Sequence, residues 1–135
     1  MLETLYYESP MKVNAEKALA TLEKAKEEKE KGSYETSLTL FREYLSMVDP
    51  SFTHGVWYTM AEILFEKKEY EEALSHCNRA LELMKEFIPA LELRAKIQKE
   101  LGNHTAVKED QNKIDKLNAE EESKWDDPNH YYHYK

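Results

Sequence analysis

The stretch YEEALSHCNRALELM, residues 70–84, places its apolar side chains at Tyr70, Ala73, Leu74, Cys77, Ala80, Leu81 and Met84. That is the i, i+3, i+4, i+7 rhythm of one helix face. Thirty-six residues earlier the same places hold Tyr34, Ser37, Leu38, Phe41, Tyr44, Leu45 and Val48. Thirty-four residues later they hold His104, Val107, Lys108, Gln111, Ile114, Asp115 and Asn118. One helix is written three times. Self-similarity at a period of about 34 residues marks a stacked array of helix pairs, because no pair buries its own stripe and each must lean on the next. The period names an architecture, and none of its residues names a chemistry.

The rest of the composition agrees. A chain of 135 residues with three Gly, four Pro and 34% charged residues suits one helical domain with a single core. Its net charge of −8 argues against nucleic acid or an anionic membrane surface as the main partner. A single cysteine, Cys77, leaves no internal disulfide and favours a reducing compartment, hence a cytoplasmic protein. The opening MLETLYYESP has neither a basic nor an apolar signal region, and no apolar run is long enough to span a bilayer.

Taken in order, residues 1–13 read as a lead-in. Residues 14–121 read as three helix pairs, 14–50, 53–87 and 89–121, and residues 122–135 as an aromatic tail. Asn14 is the expected first N-cap, and a narrow stripe follows at Ala15, Ala18, Leu19, Leu22 and Ala25. The charged run KAKEEKEK is expected to extend into solvent until Gly32 ends the helix. Ser33, Thr53 and Asn103 are the expected caps of later helices, and Pro89 suits a first helical turn. The helix opening at Tyr70 is expected to end near Phe87. The final helix, to about Glu121, carries a thinner stripe, as suits an end with neighbours on one side only.

With these residues in place, the chain resembles the tetratricopeptide repeat family. The middle repeat shows the pattern as Trp57, Ala61, Leu64, Tyr70, Ala73, Cys77 and Ala80, and the third as Leu91, Ala95, Gly102, Val107 and Ile114. The first shows Ala25, Gly32, Tyr34, Ser37 and Phe41, with Thr21 where a large apolar residue is usual. The resemblance implies an all-α, right-handed superhelical stack of antiparallel helix pairs, six to seven helices in all. It also implies a non-catalytic protein–protein interaction module, an adaptor or assembly subunit that binds a segment of another protein in its concave groove. The alternative is a chaperone or co-chaperone holding a client segment.

On that resemblance the groove is lined by the outward residues of each first helix: Leu22, Lys26, Tyr58, Glu62, Phe65, Glu92, Lys96 and Lys99. In co-chaperone members a set of Lys, Asn and Arg residues clamps a C-terminal carboxylate. At those places this chain has Leu22, Lys26, Thr59, Pro89 and Leu93, so the clamp is absent. A shift of one residue brings in Arg94 as a single cation.

Chemical sites are sparse. Cys77 lies mid-stripe and reads as core rather than nucleophile. There is no Gly-rich phosphate loop, no H-E-x-x-H and no nucleophile elbow, so neither an enzyme nor a cofactor is expected. His130 and His133 form an H-x-x-H pair that lacks the four-ligand cage of a structural zinc site, so no metal is expected. The tail, SKWDDPNHYYHYK, is too aromatic for a solvating segment. Trp125, Tyr131, Tyr132 and Tyr134 are expected either to fold back on the last helix or to anchor another protein.

Overall fold

A computed structural model describes residues 10–126, which form six α-helices and, among these residues, no strand. They are α1 (Pro10–Glu30), α2 (Tyr34–Met47), α3 (His54–Glu66), α4 (Tyr70–Leu83), α5 (Ile88–Glu100) and α6 (His104–Asp126). The most extensive packing is within the pairs α1·α2, α3·α4 and α5·α6. Between pairs, α4 lies on α5, with lesser contacts of α2 on α3 and of α3 on α5.

The three intra-pair turns repeat one hydrogen-bond pattern. Gly32 N–H bonds Lys29 C=O and Ser33 N–H bonds Glu28 C=O, at 2.9 Å each. Lys68 and Glu69 do the same to Phe65 and Leu64, and Gly102 and Asn103 to Lys99 and Gln98. This is the Schellman ending, and it requires a left-handed residue just past the helix. Gly32 and Gly102 take that conformation at φ +80°, where a missing Cβ makes it free of strain. The middle turn uses Lys68 at φ 63°, so this repeat alone carries a side chain where its neighbours have glycine.

Packing follows from small residues facing large ones. Ala25, Ala61 and Ala95 recur in register on the three first helices and are all buried, as are Ala73 and Ala80 on α4. A bare Cβ lets helix axes approach at the near end of the 8–10 Å range. Ser37 holds the corresponding place on α2, where its buried hydroxyl donates to Ala25 C=O at 2.7 Å. The core divides into a large cluster around Phe41, Met60, Leu64 and Ile97 and a smaller one around Leu81, Leu91 and Ile114. Trp57 and Tyr58 pack against both and join them. Arg94 ties the second pair to the third. Its guanidinium takes both carboxylate oxygens of buried Asp110 on α6, at 2.8 and 2.6 Å, and the Asn78 side-chain oxygen on α4 at 3.0 Å.

The structure departs from the sequence expectations at several points. Helix α1 begins at Pro10, not after Asn14, because proline suits a first helical position where no N–H is needed. Its charged last turns are mostly exposed, as expected, but they pack through buried Ala25, and Lys29 meets Glu62 of α3 at 3.4 Å. Helix α4 stops at Leu83, since Met84 turns extended (φ −145°, ψ 97°), and Met84 lies 43% exposed rather than in the stripe. Leu19, expected in the buried stripe, is 58% exposed. Helix α6 continues past Glu121 to Asp126 and ends two residues before Pro128, which disfavours helix in the residue preceding it. Ser33 and Thr53 occupy N-cap positions without capping through their side chains; the Thr53 hydroxyl bonds Pro50 C=O instead.

Two substitutions test this account by equilibrium denaturation. Ala80→Leu is expected to overpack the α4–α5–α6 junction and cost about 1–3 kcal/mol. Lys68→Gly is expected to relieve the left-handed turn and add about 1 kcal/mol. No loss in the first would show the register to be wrong, and no gain in the second would show the turn to be unstrained.

Candidate functional site

The outward faces of α1, α3 and α5 lie side by side, and most of the candidate binding residues are on them. On α3, Tyr58, Glu62 and Phe65 follow at i, i+4 and i+7, one face of a helix. The Tyr58 hydroxyl donates to a Glu62 oxygen at 3.3 Å, and the other Glu62 oxygen accepts from Lys29 Nζ of α1 at 3.4 Å. Glu62 therefore stitches the floor of this face across two helices. Phe65 is half-buried and tilts against Tyr70, with ring centroids 5.6 Å apart.

Helix α5 supplies the facing wall. Tyr58, Glu62, Phe65, Glu66, Leu93 and Lys96 line a shallow hollow of about 130 Å³. That is room for one medium side chain, in a lining that mixes Tyr58, Phe65 and Leu93 with Glu62, Glu66 and Lys96. Among the described residues Lys96 and Lys99 have no ion-pair partner, so their ammonium groups are available to a ligand. Lys26 is exposed and pairs only weakly with Glu23, at 4.0 Å.

The structure thus brings Tyr58, Glu62, Phe65 and Lys96 into one hollow. Leu22 packs on the large core cluster, and Lys26, Glu92 and Lys99 are exposed outside the hollow's lining. Three contributors escaped sequence reasoning: Lys29, Glu66 and Leu93. Lys29 was legible as the next residue of the Leu22–Lys26 face. Leu93, 7% exposed, reaches the hollow from a core position and gives no separate signal. Trp125 falls in α6, but its side chain and the whole of Tyr131, Tyr132 and Tyr134 lie outside the described residues, as do His130 and His133.

Arg94 is not a groove cation. Its three hydrogen bonds to Asp110 and Asn78 commit it to the α4–α5–α6 junction, and Asp110 raises its pKa further. At the other places of a carboxylate clamp, the Thr59 hydroxyl donates to Gly55 C=O at 2.9 Å and Leu93 is buried.

Burial, ahead of all charges, pushes the Cys77 thiol up to about 12. Burial and then Glu62 push the Tyr58 phenol up to about 12. Both groups are therefore neutral in the fold at physiological pH, and Cys77 has no thiolate character with which to attack a substrate. Among the described residues no three His, Cys, Asp or Glu side chains converge as metal ligands, and no helix is long and apolar enough to cross a membrane.

Residues 55–87 match the tetratricopeptide repeat family. Three solved structures resemble about three quarters of the chain. The first tetratricopeptide domain of Spaghetti (RPAP3), bound to HSP90 peptide SRMEEVD, is 24% identical with a TM-score of 0.68, over 76% of this chain and 79% of that one. The second domain of human RPAP3, in complex with HSP70 peptide SGPTIEEVD, is 18% identical with a TM-score of 0.66, over 75% and 82%. The Arabidopsis OM64 domain is 16% identical with a TM-score of 0.64, over 72% and 78%. At these identities the likeness is one of fold. No curated protein sequence matches the chain significantly.

Two measurements check the neutral core thiol. In the folded chain at pH 8 Cys77 is expected to resist a thiol reagent, and to react once the chain is unfolded; rapid labelling of the native chain would contradict its placement. Because both pKa values lie above the ordinary 9.0 and 10.0, the stability they lend is present below about pH 9 and lost as pH rises toward 12. The melting temperature is therefore expected to fall across that window.

Proposed function

We propose that this chain, a tetratricopeptide repeat protein by its 55–87 segment and by its fold, is a non-catalytic module that holds an extended segment of a partner protein in its concave groove. The observation that carries this reading is the hollow between α3 and α5, where Tyr58, Phe65 and Leu93 line one cleft with Glu62, Glu66 and the unpaired Lys96. An extended segment with one apolar side chain in the hollow, and an acidic group within reach of Lys96 and Lys99, matches that arrangement. Aromatic side chains such as Tyr58 and Phe65 are frequent hot spots of recognition, and neighbouring charges supply register. The eight candidate residues from Leu22 to Lys99 form the proposed contact face.

We favour an adaptor or assembly subunit over a chaperone. The solved Spaghetti and human RPAP3 domains were captured with chaperone peptides ending in EEVD. At the five places of a clamp for a terminal carboxylate this chain has Leu22, Lys26, Thr59, Pro89 and Leu93, three of them apolar where the clamp uses cations. The single free cysteine, buried and neutral, suits a reducing compartment such as the cytoplasm.

Two experiments test the reading. By calorimetry, the peptide SRMEEVD is expected to bind no better with a free carboxylate than with an amidated end. A tenfold preference for the acid would restore a clamp. In quantitative co-purification from its source cells, Phe65→Ala with Lys96→Glu is expected to release one stoichiometric partner. Loss of many substoichiometric clients would favour the chaperone, and an unchanged set would remove the groove from the proposal.

A further inference from the structure

The first and second repeats are 36 residues apart and the second and third 34. The two extra residues lie in the connection from α2 to α3, which spans residues 48–53, against 84–87 between α4 and α5. Insertions in repeat stacks fall in loops on one face, often a binding face. This one displays Phe52 at 91% exposure with a backbone φ of 65°. A left-handed conformation is a strained state for a bulky residue, one that glycine adopts freely. The ring returns nothing to the core for that strain, since it packs on none of the core.

The neighbouring loop completes a surface. Met84 is exposed beside Leu83, and the His54 ring stands edge-on to Phe87 at 4.8 Å. Ser51, Phe52, His54, Glu82, Leu83 and Met84 line one open hollow of about 510 Å³. It shares no residue with the hollow between α3 and α5. Glu82 is the carboxylate in its lining; Asp49 and Glu86 follow in the two loops just outside it, Glu86 near Lys113 and Lys116 of α6, on a chain at −8 overall. Glu82 shares its charge with Arg79 at 3.0 Å; Asp49 accepts from Ser51, through its N–H at 2.8 Å and its side chain.

We propose that this hollow is a second docking site, for a protein segment presenting an aliphatic or aromatic side chain flanked by lysine or arginine. The apolar side chain sits between Phe52 and Met84, a pair suited to it because a thioether adapts its shape to the ring that enters. The flanking cations meet Asp49, Glu82 and Glu86. The strained, outward Phe52 is the anchor, in keeping with the way backbone strain collects at binding positions.

The test uses the full chain as bait for a displayed library of random 12-residue peptides, counter-selected against Phe52→Gly. Enriched peptides are expected to carry an apolar residue with Lys or Arg beside it. In titration they are expected to lose at least tenfold in affinity for Phe52→Gly, and severalfold for Glu82→Lys with Glu86→Lys. Phe65→Ala with Lys96→Glu is expected to leave their binding unchanged, which separates this site from the groove. Phe52→Gly is expected to melt a few degrees higher than the parent chain, so that lost binding is not lost folding. The proposal is overturned if no peptide survives counter-selection or if those that do are acid-flanked. It is also overturned if Phe52→Gly melts lower, which would give the ring a structural role. A concentration-dependent mass increase that disappears in Phe52→Gly would assign the hollow to a second copy of the chain and overturn it equally.

Discussion

Everything in this stack depends on how closely the helices approach one another. Ala25, Ala61 and Ala95 on the first helices, with Ser37, Ala73 and Ala80 opposite, keep side-chain bulk out of the crossing points. Phe41, Met60, Leu64 and Ile97 then fill the space on either side. No pair closes its own core, so Trp57 and Tyr58, which touch both clusters, make the second pair the keystone of the array. The same closeness sets the outward faces of α3 and α5 against each other and so forms the hollow at Phe65 and Lys96. Packing and groove are one geometric consequence.

Polar interactions orient this apolar frame more than they stabilise it. Arg94, bidentate to buried Asp110, holds α5 to α6 and reaches Asn78 on α4. A buried pair of this kind adds little net stability over a well-packed apolar equivalent, but losing one partner strands a charge. Glu62 has a similar role at the groove, where Tyr58 and Lys29 both point to it. The exposed pairs Lys26–Glu23 and Lys124–Glu121, at 4.0 and 3.9 Å, contribute little.

The sequence made the architecture legible because helix periodicity and the 34-residue interval record burial directly. Ala61, Ala73, Cys77 and Ala80 are wholly buried, in the places the repeat assigns them. Ends were less legible. Met84 has the right spacing for the stripe of α4, but the chain leaves the helix one residue earlier, and periodicity carries no information about where backbone turns. Leu19 has core spacing too, yet its side chain is 58% exposed while Ala18 beside it is buried. Tyr58, Glu62, Phe65 and Lys96, singled out through the resemblance, share the hollow between α3 and α5. Leu93 was not singled out, because a side chain that serves both core and cleft looks like core in one dimension. Arg94 was readable as a cation and not as Asp110's partner, since residues sixteen apart are brought together only by the α5–α6 turn.

The central claim is that a partner segment lies along the outward face of α3, and site-specific photo-crosslinking reads it directly. A benzophenone amino acid is placed at Phe65 in the groove and, as a control, at exposed Thr39 on α2. Irradiation in cells is expected to give a discrete adduct from Phe65 and none from Thr39. Adducts from Thr39 with a silent Phe65 would put the partner on the opposite face and contradict the account.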